Sequence, residues 1–362
     1  MTCHLTGDLS DLMHDAVSEA QEATCVAARD LNKWAAEARA GKMETSELTA
    51  VDKLMLADTG VAGADTELNE ILTAGDLVRA STRMDPLSLD DETAMERMLA
   101  KSDTPQGQAC LMKALVAGHS VAEIGTFLDE IHGKGPDWLR RHLTPVATAA
   151  DSMNDEGLAP DGSNNNKDYV TIDGQRRIQG GDGSEGTCVA SSTVTSCAMD
   201  DRLYALDLTG GPDGQQDDPD AFKQRLVAEQ RRLHNEGDGG ENCGGMGSEG
   251  QERINGAAVG SATGSATGSD DERQDLGSAA DSRAVLTEVE KSLAQEWPVP
   301  VGVSGKECAH AMTVIAQEGD MLQVYNLWGS TTWVSEDDFI NGHMGKASNS
   351  DLPNAYSVCL PR

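Results

Sequence analysis

Apolar positions recur at helical spacing through the first 150 residues and give way to short, nearly continuous apolar runs after residue 297, so the pattern predicts helices first and strands last. Residues 8–40 carry Leu9, Leu12, Met13, Val17, Ala20, Ala23, Ala27 and Leu31 along one helical stripe, which Trp34, read as a core residue, closes before Gly41. Further helices are expected over 45–57, 66–84 with an interruption near Gly75, 90–101, 106–117, 120–132 and 136–143. Start and stop signals support them: Ser120 and Glu123 form a capping-box pattern, and Gly133, Gly135 and Pro136 mark a stop and a restart. The pattern predicts an all-helical N-terminal domain over 1–150.

Residues 151–167, DSMNDEGLAPDGSNNNK, are rich in Asn, Asp and Gly and read as a linker to a second domain over 168–362. There DYVTIDG suggests a strand, the run after Cys188 a helix despite its β-branched residues, 203–208 a strand or a helix, and 221–235 and 281–295 two more helices. Between the last two, 237–281 is dominated by Gly, Ser and acidic residues and contains the repeat GSATGSATGS. Such a composition buries too little apolar surface to offset backbone ordering, so 237–281 is expected to be a flexible insertion. Four strands follow over 299–303, 309–316, 321–326 and 330–334, with Glu318, Gly319 and Asp320 turning the second into the third. The expected fold class is α+β.

Charge narrows the partners. The chain has 61 acidic against 28 basic residues, a formal charge of -33, which repels nucleic acid and anionic lipid. No apolar run approaches the ~18 residues of a membrane span, and the first residues lack the basic start and apolar centre of a signal peptide. The eight cysteines show no paired framework. Reduced thiols and a cytoplasmic site of synthesis are expected, with a signal-independent secretion route left open. The histidines at 4, 14, 119, 132 and 142 lack metal-ligand spacing and read as surface or cap residues; no metal and no cofactor are expected.

Candidate chemistry lies at three positions. Cys188 follows a glycine-rich turn and opens a helix, where the positive end of the dipole lowers a thiol pKa and favours the thiolate. His310 starts one strand and Asn326 ends its hairpin partner, so an amide oxygen can hold one ring nitrogen and leave the other free as a base. His343 is a second candidate base. Cys308 and His310 could serve zinc, but no C-x-x-C completes a tetrahedral set.

The order Cys188, His310, Asn326 resembles that of the papain-like cysteine peptidases, and Asn326-Leu327-Trp328-Gly329 is similar to that family's Asn-Ser-Trp-Gly element. The resemblance covers about 168–362. It implies a helix bearing the cysteine packed on an antiparallel sheet, Cys188 as nucleophile, His310 as base and Asn326 as its orienter. It further implies Gln179 as an oxyanion-hole donor and Trp328 as cover for the His310–Asn326 bond. The implied activity is hydrolysis of peptide or amide bonds through an acyl-enzyme, or deamidation by the same constellation, on a protein or peptide substrate. The layout is also that of a secreted bacterial effector or toxin, by analogy alone. The alternative is an inactive papain-like binding protein, favoured by Val189 where the family has an aromatic residue. The helical domain is expected to recruit a partner or to inhibit.

Overall fold

The structure, a computed structural model, describes residues 71–148, 170–173, 186–210, 218–239, 245–262, 272–294, 297–348 and 350–360, apart from 73, 85 and 103, together with Gln175 and Gln179. The chain divides into two compact units, Met1–Asn69 and Glu70–Arg362. The expected helices over 8–40 and 45–57, the start of the one over 66–84, the linker 151–167, His4 and His14 lie outside the described residues.

Five helices come first: α1 (Ala74–Met84), α2 (Leu89–Lys101), α3 (Pro105–Val116), α4 (Val121–Ile131) and α5 (Pro136–Leu143). Their starts follow local chemistry. Ser88 accepts from Asp91 N ahead of α2, Thr104 accepts from Gly107 N ahead of α3, and Ser120 and Glu123 close the predicted capping box on α4. Strands β1 (Val146–Thr148) and β2 (Val170–Ile172) pair antiparallel. Helices α6 (Cys188–Asp200), α7 (Arg202–Thr209), α8 (Pro219–Glu236) and α9 (Ser248–Ala262) follow, then β3 (Glu272–Asp275) and α10 (Ala279–Leu293). The chain continues through β4 (Val299–Ser304), β5 (Ala309–Glu318), β6 (Met321–Asn326), β7 (Ser330–Ser335), α11 (Glu336–Asn341) and β8 (Asn354–Leu360). The class is α+β: eleven helices among the described residues and one six-stranded antiparallel sheet in the order β3-β8-β4-β5-β6-β7.

The sheet is covered on both faces, and alternation along β5 assigns the residues to them. Met312 and Val314 join Val289 of α10 and Phe339 of α11 in one apolar cluster. Ala311 belongs with Tyr325, Leu327 and the α6 residues Val189, Ala190 and Val194 in the other. Helix α6 is buried along nearly its whole length, which explains its unamphipathic sequence. Three of its hydroxyls find partners inside the protein: Thr195 Oγ1 donates to Ser191 O at 2.9 Å, Ser192 Oγ lies 2.5 Å from Thr313 Oγ1 on β5, and Thr193 Oγ1 donates to Asn255 Oδ1 on α9 at 2.6 Å.

Two expectations need correction. The insertion 237–281 holds α9, which packs on α6, and β3, which pairs with β8 at the sheet edge. Its small residues permit close helix approach, a signal that composition alone reads as disorder. Helices α1–α5 share a unit with the sheet. Arg202 Nη1 donates to Leu143 O at 3.0 Å, one of the bonds that tie the two stretches. His119 and His142 are not surface residues: His119 Nε2 lies 2.8 Å from Asp201 Oδ2, and the fully buried His142 has Nδ1 3.2 Å from Thr209 Oγ1. Their partners stand more than sixty positions away, beyond the reach of local spacing. Residues 203–208, open between strand and helix, are helical. Strands β1 and β8 and helix α11 were not anticipated.

Two outcomes test this packing. Asn255→Ala removes a buried partner of Thr193 and should cost about 1–3 kcal/mol in urea unfolding if α9 is part of the fold; no change would mean that α9 does not dock. Burial lowers the His119 pKa, but the hydrogen bond and charge of Asp201, with Glu123 and Asp207, outweigh it and raise the net value. A raised value gives stability that is full below the ordinary imidazole pKa and is lost as pH rises through the folded one. Between pH ~6 and ~8 the wild type should therefore lose more stability than His119→Asn does.

Candidate active site

The site is built where β5 and β6 part. Their ladder runs from Glu318↔Met321 to Thr313↔Tyr325, with one register shift between Val314 and Ala316. The shift is a one-residue bulge at Ile315, and because side chains alternate, it decides which residues share a face. With it, Val314 faces Val324 across the ladder, so His310 and Asn326, two and one periods further on, fall on the same side. Without it, Thr313 would pair with Asn326 and His310 would point the other way.

Beyond Thr313↔Tyr325 the two strands are no longer matched. Asn326 instead pairs with Ser330, closing the tight β6–β7 turn in which Gly329 N donates to Asn326 O at 2.8 Å and Gly329 takes φ 96°. The turn drives Leu327 into the core and leaves Trp328 40 % exposed above the fork.

Three hydrogen bonds fix the protons here. Asn326 Nδ2 donates to Ala347 O at 3.0 Å, and Asn326 Oδ1 accepts from Trp328 N at 3.2 Å. Oδ1 is thus the acceptor, so His310 Nε2, 3.1 Å from it, must be the donor, and Nδ1 carries the lone pair. The Trp328 ring lies on the imidazole, with centroids 4.5 Å apart and planes at 24°. His310 is 6 % exposed and Asn326 2 %. Burial pushes the His310 pKa below its ordinary value, opposed by the bond to Asn326.

Cys188 arrives from the opposite side. Gly186, at φ 62°, turns the chain into α6, and Thr187 occupies the N-cap without capping through its side chain. Hydrogen bonding from the backbone N–H groups of Ala311, Val189 and Cys188 favours the thiolate. Burial nonetheless pushes the thiol pKa up, so the lowering expected from the helix N-terminus does not prevail. The sulfur stands beside the residue that follows His310, yet no hydrogen bond joins the thiol to the imidazole.

Gln179 is brought to Trp328: indole Nε1–H donates to Gln179 Oε1 at 3.0 Å, which leaves the Gln179 NH₂ as the free end. Its backbone N–H reaches Leu327 O at 3.4 Å. His343 is set apart, its Nδ1 3.5 Å from Asp338 Oδ1 and its side chain 61 % exposed. Cys308 is exposed in the β4–β5 turn, and Cys197 is buried on α6. Among the described residues no group of three or more His, Cys, Asp or Glu is placed to hold a metal ion. Sequence reasoning missed Ala347, whose carbonyl orients Asn326. The segment that carries it is held by Lys346 Nζ on Asp338 Oδ2 at 2.7 Å, and a carbonyl leaves no mark in the residue letters.

No family model matches this chain, no curated protein matches it, and no solved structure matches it. Among the described residues no helix is long and apolar enough to cross a membrane.

The His310 assignment can be checked by NMR. The ring should titrate below the ordinary histidine value. Asn326→Asp, which sets a negative charge against Nε2–H, should move that value upward; an unchanged value would separate the two side chains in solution.

Proposed function

We propose that this fold carries a papain-like, thiol-dependent acyl-transfer centre acting on peptide or amide bonds, with Cys188 as nucleophile, His310 as base and Asn326 as orienter. The observation that supports it most is the tautomer: Asn326 holds Nε2–H and leaves His310 Nδ1 as a lone-pair acceptor beside the strand position that faces the Cys188 sulfur.

In this reading the Cys188 thiol attacks the carbonyl carbon of the substrate as its proton passes to His310 Nδ1. The S–C bond forms, the carbonyl becomes an oxyanion, and the imidazolium then protonates the leaving amine as the C–N bond breaks. Water, deprotonated by His310, releases the acyl group and restores the thiol. Backbone N–H groups at the start of α6 and the free NH₂ of Gln179 are the oxyanion donors, each worth about 3–4 kcal/mol in comparable sites. Trp328 shields the His310–Asn326 bond. Proton transfer from the thiol to His310 Nδ1 accompanies the attack. The substrate class is a protein or peptide, and a secreted bacterial effector or toxin is the setting that the layout suggests by analogy.

A second reading is favoured by one observation: the thiol is raised by burial and unbonded to His310, as in a papain-like relative that binds a partner without chemistry. The pH dependence of Cys188 alkylation by iodoacetamide, with the site read by mass spectrometry, separates the two. Labelling faster than a free thiol near pH 7, slowed about 10-fold or more in His310→Ala and little changed in His343→Ala, supports catalysis. Slow labelling, equal in the wild type and His310→Ala, supports the binding protein.

A further inference from the structure

The tautomer of His310 depends on which way the Asn326 amide faces, and the shape of that amide does not decide it. Its oxygen and NH₂ are nearly equal in size, so a flipped Asn326 would fill the same space. A flip would set Nδ2–H against His310 Nε2, force the ring proton onto Nδ1 and take the lone pair from that nitrogen. Two hydrogen bonds oppose it: Trp328 N–H donates to Oδ1 at 3.2 Å, and Nδ2 donates to Ala347 O at 3.0 Å. The first belongs to the turn that Asn326 itself opens. The second comes from another part of the chain, so whatever holds the Ala347 carbonyl also holds the base.

Ala347 is buried and follows a short 3-10 turn, Met344–Lys346. Met344 N donates to Pro353 O at 2.8 Å and Ala347 N to Met344 O at 3.0 Å, which fixes the start of the turn and its pitch. The residue on each side of Ala347 is then tied by its side chain. Before it, Lys346 Nζ lies 2.7 Å from Asp338 Oδ2, and that carboxylate is set at the start of α11, where it accepts from Ser335 N at 3.2 Å. After it, the buried Ser348 Oγ lies 3.2 Å from Met344 O and 3.1 Å from Leu352 O. A partly exposed ion pair such as Lys346–Asp338 adds little to stability. Its bearing is geometric: it joins the turn that carries Ala347 to α11.

We propose that Lys346 and Ser348 are positioning residues for the His310 base, holding the Ala347 carbonyl where it fixes the Asn326 amide and, through it, the ring tautomer. The inference rests on the reading of His310 as the base of a thiol centre. Both residues act through Asn326 rather than on the reacting atoms. Losing one of the two hydrogen bonds that oppose the flip should raise the share of the wrong tautomer about 5- to 10-fold.

The test is NMR of the full chain with nitrogen-15-labelled histidine, the His310 signals being assigned by their loss in His310→Ala, beside a thermal melt of each variant. In the wild type, above the pKa of the ring, Nε2 should show the shift of a protonated ring nitrogen and Nδ1 that of a bare one. Lys346→Met should draw the two shifts toward each other while Tm stays within a few degrees of the wild type. Ser348→Ala, which removes the other tie, should do the same. Lys346→Arg keeps a cation within reach of Asp338 and should restore the wild-type shifts, which a general loosening of the fold would not do. Ring shifts unchanged in both Lys346→Met and Ser348→Ala, or displaced equally in Lys346→Met and Lys346→Arg, would overturn the proposal. Cys188 alkylation scores the thiol reading separately: a rate equal in the wild type and His310→Ala removes that reading and leaves the ring nitrogens to decide this one.

Discussion

One extra residue in β5 decides whether there is a site at all. The bulge at Ile315 shifts the β5–β6 register by one, and a shift of one inverts the faces of every residue beyond it. His310 and Asn326 are 16 positions apart in sequence and bonded in space only because that inversion occurs between them. Beyond the bulge the ladder runs on through Val314↔Val324 and Thr313↔Tyr325 before the two strands part. The shared face of His310 and Asn326 is thus the consequence of a single irregularity rather than two independent placements.

The fork holds its shape because both strands are anchored outside it. Leu327 is fully buried beneath the β6–β7 turn, and Gly329 supplies the left-handed backbone that lets Trp328 fold back over the imidazole. On the other side α6 meets β5 through hydroxyls as well as methyl groups, with Ser192 on Thr313 and on the Met312 carbonyl. Hydrogen bonds have a narrower geometry than apolar contacts, so this interface fixes the depth at which the start of α6 enters the fork.

Much of this was legible in the residue order. The helix edges from 89 to 143 followed from caps, prolines and glycines, and β4 to β7 from β-branched runs broken at Glu318-Gly319-Asp320; these are local signals and the structure honours them. Residues 248–262 misled because a Gly- and Ser-rich composition carries a weak helix propensity, although the helix packs on α6. His119 and His142 misled because a histidine's partner is chosen by tertiary contact. At the site, Cys188, His310 and Asn326 were legible as types at a spacing, whereas the bulge that aligns them and the Ala347 carbonyl that orients Asn326 are backbone properties that no side-chain pattern encodes. The thiol was misjudged for a similar reason: a helix start is visible in sequence, but the burial that outweighs it is not.

Strand β8 adds a consequence for synthesis. It is the last strand in chain order, yet it lies inside the sheet, between β3 and β4, with Val358 opposite Val301 and Gln274. As the chain leaves the ribosome, Cys188, His310 and Asn326 are all present some thirty residues before β8 can fill its slot. Until then β4 presents a bare edge, and the sheet that sets the fork is incomplete. The fork that brings His310 and Asn326 together is therefore framed by a complete sheet only once β8 is in place.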